Sequence, residues 1–394
     1  MTNIKILLIL IILLTGCTSV EQPKNPDINN GSPPPVEEPG APAEPEIPEE
    51  PKDNSLFHEY DEQAEKLLLG MTTEEKIGQI FLVRYPEEKQ LDIYLSMNPG
   101  GFIMFGKDFT GKGKNEVIDN IDYCQSNNTV PMIIAVDEEG GTVVRVSSNP
   151  LLSDERFKSP QELYEIGGFN EIERDTIKKS KLLSELGINL NLAPVADISV
   201  DETDFIYQRS FGKNAEETAK YIKTVVEAMK KQGISSSLKH FPGYGNNADT
   251  HTGSATDIRP YQQFINNDFI PFKAGIESGA ESILISHNII ESIDPELPAS
   301  LSKKVIDILR YDMEFTGIIM TDDLSMGAIS ELRTELSPEA AAVSAGNDML
   351  IVTDFENSFQ ALLNAVNSGE IHIDRIDESV LRILKWKYYM SLFK

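Results

Sequence analysis

In Ile234-Ser235-Ser236-Ser237-Leu238-Lys239-His240-Phe241-Pro242-Gly243 a strand-like run ends abruptly in a cation and an imidazole. The loop continues Tyr244-Gly245-Asn246-Asn247-Ala248-Asp249-Thr250-His251, presenting Asp249 and His251 two residues apart. In extended chain, residues i and i+2 point the same way. The carboxylate can therefore hold the tautomer and orientation of the imidazole, which suits a mobile proton donor and acceptor. Outward from this segment the same pattern recurs. Strand-like runs are expected at 77–83, 101–105, 131–136, 188–195, 235–238, 282–286, 317–320 and 348–352, with helical patterns between them, clearest at 215–231, 264–278 and 304–312. Eight such alternations predict an α/β fold, a (β/α)8 TIM barrel forming a single catalytic domain over residues 55–394. A doubly wound sheet is the alternative, but no glycine-rich phosphate loop follows the first run. Ionisable residues follow five of the runs: Asp137-Glu138-Glu139, Asp197, Lys239-His240, His287 and Asp322-Asp323. Barrel enzymes place their chemistry on that C-terminal rim.

The 394 residues carry a formal net charge of −28, which excludes nucleic acid as a partner because phosphate binding needs clustered Lys and Arg. Residues 1–16 have the layout of a secretory signal: Lys5, a short apolar run over 6–14, then Leu14-Thr15-Gly16-Cys17. That ending resembles a bacterial lipobox and predicts lipidation of Cys17, hence an anchor on the extracytoplasmic face of the cell membrane; a plain signal peptide with a chance Cys is the alternative. Residues 17–54 are rich in Pro and Glu and cannot bury apolar surface, so a disordered tether is expected, with a reach on the order of 100 Å. Cys124 then stands alone, which leaves no disulfide within the domain and predicts a packing residue in a helix.

Six blocks now stand in order: the run from Met71 to Gln79, Val136-Asp137-Glu138-Glu139-Gly140-Gly141 through Arg145, Gly187 to Val195, Arg209-Ser210-Phe211-Gly212, the Lys239-to-Gly243 block, and Thr321-Asp322-Asp323-Leu324-Ser325-Met326. With Ala345 to Leu350 closing the set, the chain resembles glycoside hydrolase family 3, specifically its β-N-acetylglucosaminidase (β-N-acetylhexosaminidase) branch. The resemblance implies a retaining enzyme acting on terminal β-linked N-acetylglucosamine, with no metal or organic cofactor. It implies Asp322 as nucleophile, His251 as acid/base and Asp249 as its partner. It further implies Asp137, Arg145, Arg209, Lys239 and His240 as residues that hold the sugar. Alternation along the strand groups Ile318, Met320 and Asp322, but only the family pattern selects Asp322 over Asp323. Expected partners are N-acetylglucosamine-containing glycans such as muropeptides and, through the lipid anchor, the membrane; the domain is expected to be a monomer.

The chain departs from the family pattern at Tyr244, where a His is common, at Thr142, where an Arg is common, and in a loop one residue shorter before Asp249. No second α/β domain of the kind that many members carry is expected after the eighth strand. Three other functions stay open. An imidazole acid carries no negative charge after donating its proton, so phosphate could serve as acceptor and make the enzyme a phosphorylase. His240, His251, His287 and Asp322 could instead ligate a metal, although neither His-x-His nor His-Glu-x-x-His occurs. A non-catalytic wall-glycan-binding lipoprotein is the third.

Overall fold

The computed structural model describes residues 55–247, 255–330 and 335–393. The predicted signal, tether and Cys17 lie outside them, as do Asp249 and His251. Eight parallel strands form the centre: β1 (Phe81–Arg84), β2 (Gly101–Met104), β3 (Ile133–Val136), β4 (Leu190–Asn191), β5 (Ser235–Phe241), β6 (Ser282–Ile285), β7 (Ile318–Thr321) and β8 (Leu350–Val352). Their order around the sheet is β8-β1-β2-β3-β4-β5-β6-β7, and a parallel bridge from Met320 to Met349 closes β7 on β8. This is the expected barrel.

Strand parity sorts the side chains. Leu82, Ile103, Ile133, Ala135, Leu190, Leu192, Leu284, Ile318, Met320, Met349 and Ile351 form one buried cluster inside the barrel. Their sequence neighbours, among them Phe81, Val83, Phe102, Ile134, Leu238, Ile283, Ile319 and Leu350, belong to a second cluster beneath the helices. Both faces of every strand are thus dry, as a parallel sheet covered on both sides requires. The inner cluster is completed by Phe57 and by Ile383 and Trp386 of the helix Ile373–Tyr389. The Trp386 indole donates to Ser235 Oγ at 3.2 Å, at the start of β5, so these apolar groups floor the N-terminal mouth.

The helices follow their sequence signals. Ala215–Lys231 starts at Asn214, whose side chain accepts from Glu217 N, carries Glu216 and Glu217 in its first turn and ends in Lys230 and Lys231. Its Ile222, Val225, Val226 and Met229 are buried at the three-to-four spacing of one helix face. Cys124 is buried in the helix Lys114–Asn127, as expected.

Two expected strands are corrected. The run at 77–83 is divided, because a capping box at Thr72 and Glu75 starts a helix over Thr73–Gln79 and the strand begins only at Phe81. The run at 188–195 keeps a two-residue ladder shared with both neighbours, because the Ala193 N–H turns back onto the Asn191 carbonyl at 2.8 Å; a parallel bridge from Val195 to Lys239 resumes beyond Pro194. The 304–312 pattern is a helix over Lys303–Asp307 that widens into a looser turn over Ile308–Asp312.

Lys387, beside the floor, is wholly buried and its Nζ lies 2.5 Å from Gln79 Oε1. Burial pushes its ammonium well below the ordinary lysine range. Between the depressed folded pKa and the ordinary lysine pKa the unfolded chain binds more protons than the folded one, so stability contributed by this site rises with pH across that interval. The expected result is a Tm that gains on that of Lys387→Met between pH 7 and 9, checked by calorimetry of both proteins across that range.

Candidate active site

The inward parity of each strand, carried one step past the ladder, brings polar groups to the C-terminal rim. Arg84 follows Leu82, Phe105 follows Ile103, Asp137 follows Ala135, Lys239 follows Ser237, Asp322 follows Met320 and Thr353 follows Ile351. All six line a single cavity of about 700 Å³, together with Glu139, Arg145, Arg209, His240 and Asp323. That volume is in the range of small-molecule sites.

The loop after β3 is fixed from within. The wholly buried Glu138 carboxylate accepts the main-chain N–H of Arg145 at 2.6 Å, of Val146 at 2.7 Å and of Ser147 at 3.2 Å, and the Ser147 hydroxyl as well. Asn191 of β4 clasps its backbone, accepting from Glu138 N at 2.9 Å and donating to Glu138 O at 3.1 Å. Gly140 turns the loop at φ +107°, where a Cβ would meet Lys158 O at 2.2 Å, so only glycine fits.

A charge cluster spans the rim. Lys239 Nζ lies 2.6 Å from both Asp137 Oδ1 and Glu139 Oε1. Arg209 grips Glu139 with two bonds, Nη2 to Oε1 at 2.7 Å and Nε to Oε2 at 3.1 Å, and Arg145 Nη2 stands 3.7 Å from Asp137 Oδ2. Burial alone would raise the Glu139 carboxyl, but Arg209 and Lys239 outweigh it and hold the group well below the usual carboxylate range. His240 is fixed at both nitrogens. Nδ1 donates to the buried Asp197 Oδ2 at 2.7 Å, which leaves Nε2 to accept from Arg209 Nη2 at 3.2 Å. Asp197 also receives the main-chain N–H of His240 and, at 2.7 Å, that of Tyr244.

The two adjacent aspartates after β7 part company. Asp323 is tied into its own loop: Oδ2 accepts from Thr353 Oγ1 at 2.7 Å, Oδ1 from Ser325 N at 2.9 Å, and its carbonyl lies 2.9 Å from His287 Nε2. Asp322, on the inward parity, accepts from Asp323 N at 2.8 Å and lines the cavity. His287 has its other nitrogen 2.8 Å from Ser300 Oγ and is not among the cavity-lining residues. The histidines of the metal alternative among the described residues, His240 and His287, thus have both nitrogens engaged. Among the described residues no three His, Cys, Asp or Glu side chains are grouped to hold a metal.

The structure therefore gathers Asp137, Arg145, Arg209, Lys239, His240 and Asp322 around one cavity. Both borders of the segment carrying Asp249 and His251 are pinned. Arg259 binds Asp257, Asp268 and the Gly243 carbonyl, and Asn247 Nδ2 donates to Asp257 Oδ2 at 2.7 Å. Glu139 and Asp197 were not assigned site roles from sequence. The signal for Glu139 was the second acidic residue after Asp137 in a site with two further cations to neutralise. Glu139→Gln keeps the shape but removes the charge that positions Lys239 and Arg209. A loss of about 100-fold in kcat/KM is expected from the resulting displacement, to be read by steady-state kinetics beside Tm.

The chain matches the model of the glycosyl hydrolase family 3 N-terminal domain over residues 72–386, and it belongs to that family. Among curated relatives, a beta-hexosaminidase of Xanthomonas oryzae pv. oryzae is 29% identical over 263 residues, covering 64% of this chain and 75% of its own. A beta-N-acetylglucosaminidase/beta-glucosidase of Cellulomonas fimi is 25% identical over 344 residues, covering 83% and 59%. Among solved structures, a family 3 beta-N-acetylglucosaminidase from Paenibacillus sp. str. FPU-7 superimposes with a TM-score of 0.76 at 28% identity. That match takes in 82% of this chain, which spans 63% of the Paenibacillus chain.

Proposed function

We propose that this protein is a retaining exo-β-N-acetylglucosaminidase that releases terminal N-acetylglucosamine from peptidoglycan fragments. The observation that carries the reading is the convergence of Asp322 with the Asp137, Arg145, Arg209, Lys239 and His240 cluster in one rim cavity. It is supported by membership of family 3 and by relatives named for N-acetylhexosaminide cleavage.

In this reading Asp322 Oδ attacks C1 of the terminal sugar as the C1–O bond breaks, and the His251 imidazolium passes its proton to the departing oxygen. The neutral imidazole then takes a proton from water, whose oxygen attacks C1 and releases Asp322. The same reading assigns Asp249 the task of orienting the His251 ring. The sugar hydroxyls and acetamide are held by Asp137, Arg145, Arg209, Lys239 and His240, which ion pairs among themselves and with Glu139 and Asp197 preorganise before substrate arrives. The peptidoglycan assignment and a membrane-anchored, extracytoplasmic location rest on the resemblance of Leu14-Thr15-Gly16-Cys17 to a lipobox and on the Pro/Glu-rich stretch after it. Among the described residues no helix is long and apolar enough to cross a membrane.

Two measurements test the reading. An aryl β-N-acetylglucosaminide is expected to be cleaved and the matching aryl glucoside much more slowly; equal rates would defeat the proposed sugar preference. A mechanism-based fluorosugar is expected to leave its label on the peptide containing Asp322, and label on any other residue would reassign the nucleophile.

A further inference from the structure

Arg84 is the last residue of β1, two positions beyond the inward-facing Leu82, and its guanidinium borders the same cavity as Asp322. The other cavity cations answer to carboxylates: Lys239 to Asp137 and Glu139, Arg209 to Glu139, and Arg145 at longer range to Asp137. Among the described residues Arg84 makes no ion pair; the carboxylate that feels its charge, Asp108, is turned onto the Phe105 N–H at 2.7 Å, and the Arg84 side chain lies over the Phe105 ring, with Cζ 4.5 Å from the centroid. The same ring has Arg145 Cζ at 5.6 Å, and Arg145 Nε is a buried donor with nothing to donate to. Two guanidiniums thus flank one aromatic ring at the edge of a cavity, and only Arg145 has an ion pair, in a protein whose net charge of −28 offers ample carboxylates to neutralise both. A planar guanidinium steadied on an aromatic face and open on its donor edge is built to meet an oxyanion.

We propose that Arg84 is an oxyanion-recognition point that makes the enzyme select substrates whose leaving sugar carries a carboxylate. The strand order places only β8 between Arg84 on β1 and Asp322 after β7. Two strand spacings are about 10 Å, beyond the ring that Asp322 attacks and within reach of a substituent on the sugar joined to it. The inference deepens the glycosidase reading above and rests on it. The same donor edge would also accept inorganic phosphate, the second source of an oxyanion at this position.

The experiment compares two disaccharides with N-acetylglucosamine at the non-reducing end, one whose leaving sugar bears a 3-O-lactyl carboxylate and its neutral counterpart, chitobiose. The wild type is expected to favour the acidic disaccharide. Arg84→Met should lower the ratio of kcat/KM values, acidic over neutral, by about tenfold or more, chiefly through KM, and Arg84→Lys should lose less. A ratio that stays within twofold of wild type overturns the carboxylate assignment. Products formed in inorganic phosphate are measured beside it: a sugar 1-phosphate that disappears in Arg84→Met assigns the oxyanion to phosphate, and loss of neither effect overturns the site. If the wild type cleaves neither disaccharide, the glycosidase reading fails. The recognition point is then read alone from calorimetric affinities of Asp322→Asn with and without Arg84→Met, where an unchanged preference overturns it.

Discussion

Asp322→Ala is expected to lower kcat/KM on an aryl N-acetylglucosaminide by about four to six orders of magnitude, the scale seen when an enzyme loses its nucleophile. The fold should survive, because Asp322 stands on the rim and the neighbouring turn is held by Asp323 through Thr353 and Ser325. Measured by kinetics and calorimetry together, the result separates chemistry from stability. Asp323→Ala should do the reverse in part, loosening the loop and lowering Tm while still leaving an attacking carboxylate. Azide added to Asp322→Ala supplies the sharper test. A small anion entering the vacated space attacks C1 from the same side as the carboxylate, so an azide product of inverted configuration is expected. Activity of Asp322→Ala within tenfold of wild type would remove the aspartate from the mechanism.

The second large effect concerns the opposite end of the barrel. Asp348, wholly buried just before β8, accepts from Arg382 Nη1 at 2.9 Å and Ile319 N at 3.0 Å, pairs closely with Arg310, and has Arg375 at 4.0 Å. Burial would raise its carboxyl, but Arg310, Arg382 and Arg375 outweigh that and hold it below the ordinary value. Asp348→Ala leaves these guanidiniums without their shared counter-ion, and a loss of about 3–5 kcal/mol is expected. Because the folded pKa is depressed, this stabilisation is present above the ordinary carboxylate pKa and disappears as pH falls through the folded value. The gap in unfolding free energy between wild type and variant should therefore narrow below about pH 4. A denaturant titration at pH 7 showing less than 1 kcal/mol of difference would show that the cluster contributes packing alone.

Much of the architecture was readable as pattern. Apolar runs ending in Asp137, Lys239-His240 and Asp322 marked both the strands and the rim, because a parallel barrel strand is apolar on both faces until it leaves the sheet. The parity argument grouping Ile318, Met320 and Asp322 matches the inner cluster. The first run misled because Ile77 and Ile80 are equally apolar as helix face or strand, and only the capping box at Thr72 and Glu75 distinguishes them. Glu139, Asp197 and Arg84 were harder to see. Their meaning lies in what stands opposite, and a salt partner 70 residues away leaves no local trace in composition or period. Likewise nothing near Asp348 in the chain announces Arg310, which arrives from an earlier helix.

The floor built from Phe57, Ile383 and Trp386 has a bearing on how the molecule comes into being. During synthesis the eight strands emerge well before Ile383 and Trp386, so a nascent barrel has a greasy throat open to water at one end. Contacts this remote in sequence close slowly, and such half-finished chains are prone to stick to one another. Shortening the delay, for instance by a circular permutant that places the Ile373–Tyr389 segment first, should raise the yield of refolded protein without altering the chemistry at the far end.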